Sequence, residues 1–386
     1  MDFSKRIEMI QPSATLGITS SAKAMIKEGK KIVVLAAGEP DFDTPDIIKE
    51  AAIKAIKDGF TKYTPSGGTV TLKQAICKKF KKDNGLDYTP EEIIVSNGAK
   101  HCLYNIFQVI CNEGDEVIII HPYWLSYHEM VKLAGATPVF LATRRENGFR
   151  STAEEIKSAI TSKTKAIIIN SPSNPAGVVY NKKELMAIAD VCLKHNVTII
   201  SDEIYEKIVF DAAEHVSIAS LSPEIFRKTI VVNGVSKSYS MTGWRIGYAA
   251  GDKAIISKMN TLQDHSTSNP CSISQYATEF ALNANLDGVI ADHCAGFQKK
   301  RDIMINALSG EKKISPFKPQ GAFYLFCDIS KTGMNSMTFA KRLLEEKHVA
   351  VIPGGPFGDD KYVRMSFATS IDNIEDGTKR IKEWLN

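Results

Sequence analysis

At 386 residues the chain is too long for one compact core, so two domains are expected. Apolar residues make up 44% and charged residues 24%, ordinary usage for a soluble globular protein. The net charge of +4 is spread along the chain, which gives no reason to invoke nucleic acid, and short basic runs such as Lys78–Lys82 read as solvated helix faces. The seven cysteines are scattered without a Cys-x-x-Cys pair, as free and mostly buried thiols in a reducing compartment would be. The charged start, Met1 to Ile10, lacks the apolar stretch of a secretory signal. No apolar run is long enough to span a membrane. The cytosol is the expected location.

In chain order, a helix is predicted over 18–29 and a short strand over 33–35. A turn-rich loop follows, Gly38-Glu39-Pro40-Asp41-Phe42-Asp43-Thr44-Pro45, then a helix over 46–58. From residue 70 helices and strands alternate: helices over 70–84, 99–112, 124–134, 152–160 and 182–195, and strands over 92–96, 116–120, 137–141, 165–170, 197–202, 229–233 and 246–250. Several strand cores are continuous apolar runs, for example Val117-Ile118-Ile119-Ile120 and Ala166-Ile167-Ile168-Ile169. Such strands suit a mostly parallel sheet covered by helices on both faces, an α/β fold. Beyond residue 290 the texture changes to a charged helix over 290–310, strands over 322–327, 349–352 and 362–366, and a helix over 371–385. The expectation is a large domain of residues 45–290 and a smaller α+β domain formed by 1–44 and 291–386.

Four strands run into loops with unusual residues, and the carboxyl ends of strands are where α/β sheets bind ligands. The strand over 92–96 leads into Asn97-Gly98-Ala99-Lys100 and a helix, whose N-terminal N–H groups suit an anion. Alone, this is equally a plain glycine-bearing turn. The strand over 165–170 leads into Ser171-Pro172-Ser173-Asn174-Pro175, a stiff loop from which Asn174 can direct a hydrogen bond. The strand over 197–202 ends at Asp202, an acid that is costly to bury without a partner; metal binding, helix capping and a cationic ligand all fit. The strand over 229–233 leads to Ser236-Lys237, and a lysine there becomes a nucleophile when desolvation or neighbouring cations lower its pKa.

Taken together, these loops resemble the class I aminotransferases of the aspartate aminotransferase subgroup, within fold type I of the pyridoxal-phosphate enzymes. The resemblance runs from Pro12-Ser13-Ala14-Thr15 to Arg364-Met365-Ser366-Phe367-Ala368-Thr369-Ser370. It is most specific in Ser236-Lys237-Ser238-Tyr239-Ser240-Met241-Thr242-Gly243-Trp244-Arg245-Ile246-Gly247-Tyr248. It implies a seven-stranded, mostly parallel sheet and pyridoxal 5'-phosphate as cofactor. By this resemblance Lys237 carries the cofactor as a Schiff base and, once released, moves a proton between the substrate Cα and the cofactor. Asp202 pairs with the pyridine N–H, Tyr205 and Asn174 bond the phenolic oxygen, and Trp124 stacks on the ring. Gly98, Ala99, Lys100, Ser236 and Arg245 hold the phosphate, together with Tyr63 from a neighbouring subunit. Arg364 and the Gly38 N–H bind the substrate carboxylate, with Trp124 and Asn174 also at the substrate. A homodimer with shared active sites follows.

The reaction implied is ping-pong transfer of the amino group from L-aspartate to 2-oxoglutarate. Related enzymes acting on aromatic amino acids, alanine, kynurenine or prephenate share the same cofactor residues. Gln11 stands where prephenate-accepting relatives commonly have lysine. A lyase on the same scaffold is a rival class, as is a non-catalytic regulator. A nicotinamide dehydrogenase would require a Gly-x-Gly-x-x-Gly turn after an early strand, and none is present. Nor is there a His/Cys/Asp cluster with metal-ligand spacing.

Overall fold

The computed structural model describes residues 2–12 and 14–386, the side chains at 14–16 excepted. The Pro12-Ser13-Ala14-Thr15 stretch, expected to close over the site, therefore lies partly outside the described residues.

The strands in chain order are β1 (Val33–Val34), β2 (Ile93–Ser96), β3 (Glu116–Ile120), β4 (Thr137–Leu141), β5 (Thr164–Asn170), β6 (Thr198–Asp202), β7 (Thr229–Gly234), β8 (Gly247–Ala250), β9 (Ser315–Phe317), β10 (Tyr324–Asp328), β11 (Val349–Ala350), β12 (Ile352–Pro353) and β13 (Tyr362–Ser366). Seven of them form one sheet in the order β2-β8-β7-β6-β5-β3-β4. All neighbours are parallel except β8, which runs antiparallel to both β2 and β7. The apolar strand cores pack against helices on either face: Ile118, Ile167 and Ile199 join one buried cluster, and Ile119, Ile168 and Ile200 the other. That division follows from side-chain alternation along each strand.

Local chemistry sets the helix ends. Helix Lys182–Lys194 opens with a reciprocal Asn181/Glu184 capping box, and helix Val70–Asn84 is capped by Thr69 and closed by Gly85 in the left-handed region. Helices Lys253–Asp264, Ser272–Asn283 and Ser336–Lys347 add to the predicted elements. The second sheet is antiparallel, β12-β13-β10-β9, and β1 pairs in parallel with β11. The single strand predicted over 349–352 is divided between these two pairings: β11 joins β1, while β12 crosses to β13. Pro353 has no N–H to extend a ladder.

One expectation is corrected. Lys79, inside the basic run read as a solvated face, is buried at 7% exposure and pairs with Glu206. Helical periodicity turns Lys79 inward beside Ile76 and Phe80, while Lys81 and Lys82 face solvent. The thiols match their reading: all seven are free, and four are buried. Among the described residues, no helix is long and apolar enough to cross a membrane.

Candidate active site

The C-terminal ends of β5, β6 and β7 open into a cavity of about 540 Å³, whose outer wall is supplied by the second sheet and the 36–39 loop. Lys237 stands three residues beyond β7. Its ammonium donates to the Gly38 carbonyl at 2.6 Å and lies 5.8 Å from the Tyr205 ring centroid and 5.6 Å from that of Phe323. Burial, reinforced by the Arg364 and Arg245 charges, lowers its pKa to about 8 against the opposing pull of Glu39 and Asp202. A lysine brought this close to neutrality holds about a tenth of its population as free amine at pH 7, far more than an ordinary lysine, and can act as a nucleophile or base.

Asp202 closes β6 at 3% exposure. It accepts from the Tyr127 hydroxyl at 2.6 Å and from the Ile204 N–H at 3.3 Å. No cationic side chain among the described residues forms an ion pair with it, and burial raises its pKa to about 6. Arg364, on β13 at 2% exposure, is its counterpart in charge. Its guanidinium donates to Asn174 Oδ1 at 3.0 Å and to the Ala36 carbonyl at 3.3 Å, and lies 4.2 Å from the Tyr324 ring centroid. Its buried Nε has no acceptor among the described residues. The floor thus keeps a carboxylate without a cation, and the wall a guanidinium without a carboxylate.

At one end of the cavity, helix Ala99–Ile110 begins directly after β2. Gly98 adopts φ +85°, and a side chain there would run into the Arg245 guanidinium; Gly247 lets β8 approach the Ala99 backbone equally closely. Arg245 is held over this turn by bonds to the Thr242 and Asn97 carbonyls at 3.0 and 3.2 Å. First-turn N–H groups, a glycine and an arginine together make an anion cradle. Ser236 and Trp124 line the same cavity, and the Lys100 ammonium lies 4.9 Å above the Trp124 ring. Tyr205 lines it too, its hydroxyl 3.0 Å from that of Tyr324.

The fold therefore gathers Gly38, Ala99, Lys100, Trp124, Asn174, Asp202, Tyr205, Ser236, Lys237, Arg245 and Arg364 around one cavity, with Gly98 beneath Arg245. Tyr63 is not brought there: it is 92% exposed. Sequence reasoning missed Tyr127, which faces Asp202, and Tyr324, which bridges Tyr205 and Arg364. Tyr127 follows Trp124 at helical i, i+3 spacing, the one signal that could have pointed to it. The buried acid without a cation, the orphaned Arg364 Nε and the glycine-floored cradle fit pyridoxal 5'-phosphate and a carboxylate substrate, which would bring a cationic ring nitrogen, a carboxylate and a phosphate to these three places.

Comparison with known proteins agrees. The chain is 53% identical to an aspartate aminotransferase of Bacillus sp. (strain YM-2), over 98% of both chains. It is 50% identical to a probable aspartate/prephenate aminotransferase of Rickettsia prowazekii, over 99% of this chain and 98% of the relative. The solved aspartate aminotransferase from Thermus thermophilus with maleate superposes with a TM-score of 0.96 at 40% identity, covering 99% of both chains. Residues 30–381 match the family model described as aminotransferase class I and II, and the chain belongs to that family.

Proposed function

We propose that this enzyme transfers the amino group of L-aspartate to 2-oxoglutarate, giving oxaloacetate and L-glutamate by a ping-pong route. The observation that carries this reading is the pairing in one cavity of Lys237, its pKa lowered to about 8, with the uncompensated Asp202. Pyridoxal 5'-phosphate, the family's cofactor, supplies an electron sink for the pair left on Cα when its proton departs. Asp202 would hold the ring nitrogen in its protonated form, Tyr205 and Asn174 would donate to the phenolic oxygen, and Trp124 would cover the ring face. The Gly98–Lys100 turn, Ser236 and Arg245 would hold the phosphate. Lys237 Nζ would bind the cofactor and, once displaced by the substrate amine, take and return the Cα proton. Arg364 would grip the α-carboxylate in a bidentate pair, beside Gly38.

Aspartate is favoured because the cavity holds a further cation. The Lys100 ammonium has no carboxylate ion-pair partner among the described residues and sits over Trp124, where a second substrate carboxylate can reach it. The Rickettsia relative's name favours prephenate as an additional amino acceptor, and glutamate-dependent consumption of prephenate tests that second reading.

Tyr63 at 92% exposure, with exposed Ile47, Ile53, Ile56, Val70 and Phe280, supports a homodimer in which Tyr63 serves the neighbouring site. Residues 45–290 would form the large domain, with 1–44 and 291–386 closing over it. Free thiols throughout suit a cytoplasmic location.

The test is an absorption spectrum with added cofactor, wild type against Lys237→Ala, followed by titration with aspartate and measurement of glutamate formed from 2-oxoglutarate. A lysine-dependent visible band that aspartate bleaches supports the reading. A band indifferent to aspartate removes the donor assignment, and no lysine-dependent band removes the cofactor assignment.

A further inference from the structure

The turn that presents Asp202 and Tyr205 to the cavity also buries a second set of charges. Glu203, 1% exposed, accepts from Ser201 Oγ at 2.8 Å and Ser217 Oγ at 2.7 Å, and lies 3.2 Å from His215 Nε2. Glu206, 6% exposed, pairs with Lys79 of helix Val70–Asn84 and accepts from Asn84 Nδ2 at 2.8 Å. Asp83 on that helix lies 3.7 Å from Lys79 and 2.9 Å from Lys207. Residues that line the cavity therefore interleave with acids that do not: Asp202 and Tyr205 against Glu203 and Glu206.

Glu203, Glu206 and His215 bring ligand atoms within 4.8 Å of one another, a spacing able to hold a metal ion. The Lys79 ammonium already stands on Glu206, so the cluster supplies its own cation.

The backbone anchors this turn only at its two ends. The parallel ladder between β6 and β7 ends at Asp202 with the Glu203 N–H bond to Val232 following, and Ile208 and Phe210 are tied to Ala322 and Gln320; between these anchors the backbone makes only turn bonds, Glu206 to Glu203 and Ile208 to Tyr205. Lateral restraint comes from the buried side chains. A buried ion pair is a poor source of net stability compared with apolar packing, but it fixes geometry. The position of the turn also matters beyond itself, since Tyr205 meets Tyr324 and Tyr324 lies against Arg364.

We propose that Glu206 and Lys79, with Glu203 and His215 beside them, are positioning residues that set the depth of Asp202 and Tyr205 in the cavity. This rests on the cofactor roles given to Asp202 and Tyr205 under the proposed function. None of the four lines the cavity.

The test compares cofactor-loaded wild type with the paired variant Lys79→Met/Glu206→Gln, which removes both charges and keeps an acceptor for Asn84. Three quantities are read: the thermal midpoint, the pH midpoint of the visible band, and kcat against KM for aspartate. The expected result is a near-native thermal midpoint, a band midpoint displaced by at least about 0.5 pH unit, and kcat lowered about tenfold with KM changed less than about twofold. A folded paired variant with wild-type band and kcat overturns the proposal and leaves the cofactor assignment standing. If the paired variant does not fold, Glu203→Gln, which keeps an acceptor for Ser201 and Ser217, takes its place: a displaced band midpoint supports the proposal and an unchanged one overturns it. If wild type itself forms no band that Lys237→Ala lacks, the cofactor assignment falls and the proposal with it.

Discussion

Within five residues of one turn, two buried acids meet opposite fates. Asp202 at 3% exposure and Glu206 at 6% are almost equally withdrawn from water. Burial raises Asp202 to about 6. It also works against the Glu206 carboxylate, but Lys79 and then His215 outweigh it and hold Glu206 at about 2. The difference is not depth but the presence of a cation. Two arginines repeat the contrast. Arg301, 0% exposed, is closed off by Asp211 at 2.9 Å and Asp302 at 2.7 Å, whereas Arg364, 2% exposed, has no carboxylate among the described residues. Buried charge is costly, so a pair completed within the chain is structural, and one left open marks where a ligand completes it.

The largest expected effect comes from removing the open acid. Asp202→Ala should lower kcat/KM for aspartate by about 10³-fold or more, a transition-state loss of about 4 kcal/mol, in steady-state assays with saturating cofactor. Stability should move the other way. A folded pKa near 6 against an ordinary 3.8 means that the stability linked to the Asp202 proton is present below about 3.8 and lost as pH rises through about 6. Cofactor-free Asp202→Asn should therefore be at least as stable as wild type at pH 8, by urea unfolding. A clear loss of stability would mean that Asp202 is paired after all.

Glu206 should respond in the opposite sense. Its folded pKa near 2 lies below the ordinary 4.5, so its contribution is present above about 4.5 and lost as pH falls toward 2. Glu206→Gln leaves Lys79 buried beside no full negative partner on that side, and should cost about 3 kcal/mol at pH 7. Urea midpoints measured from pH 7 to pH 3 should show the wild type losing this advantage on acidification while the variant changes less. Equal acid sensitivity in both would remove Glu206 from the account.

Arg364→Lys tests the open cation. Losing the planar fork should reduce kcat/KM for aspartate about 100-fold, about 3 kcal/mol, with little change in the spectrum of the loaded enzyme.

How much of this was legible beforehand follows the range of the interactions. The Ile-rich strands declared a helix-covered sheet because burial on both faces requires apolar residues throughout, and Lys237 and Asp202 stood out because polar residues at the ends of such strands are conspicuous. The antiparallel placement of β8 and the splitting of 349–352 between two pairings depend on partners far away in sequence. Lys79 was misread for the same reason: its meaning lies in Glu206, 127 positions on. Tyr63 is the remaining case, since the expected partner for its exposed ring would belong to the proposed second subunit.

Lys100 provides the finest test of the contrast between closed and open charge, because it is a second lysine to set against Lys79. Lys79 is buried and closed by Glu206, whereas Lys100 is exposed, stands 4.9 Å from the Trp124 ring and has no carboxylate ion pair among the described residues. Partial desolvation of this otherwise exposed side chain, then the neighbouring Arg245, lowers the Lys100 pKa. Its expected anion is the second carboxylate of the substrate. Lys100→Met should therefore lower kcat/KM for aspartate about tenfold, about 1.4 kcal/mol, the worth of one partly solvated charge-assisted contact. The rate with alanine, which has no second carboxylate, should stay within about twofold of wild type, because nothing is lost in its complex. Parallel assays with the two donors separate the possibilities: an equal fall with both would place the Lys100 side chain at the cofactor phosphate, and an unchanged aspartate rate would leave recognition of the dicarboxylate to another part of the cavity.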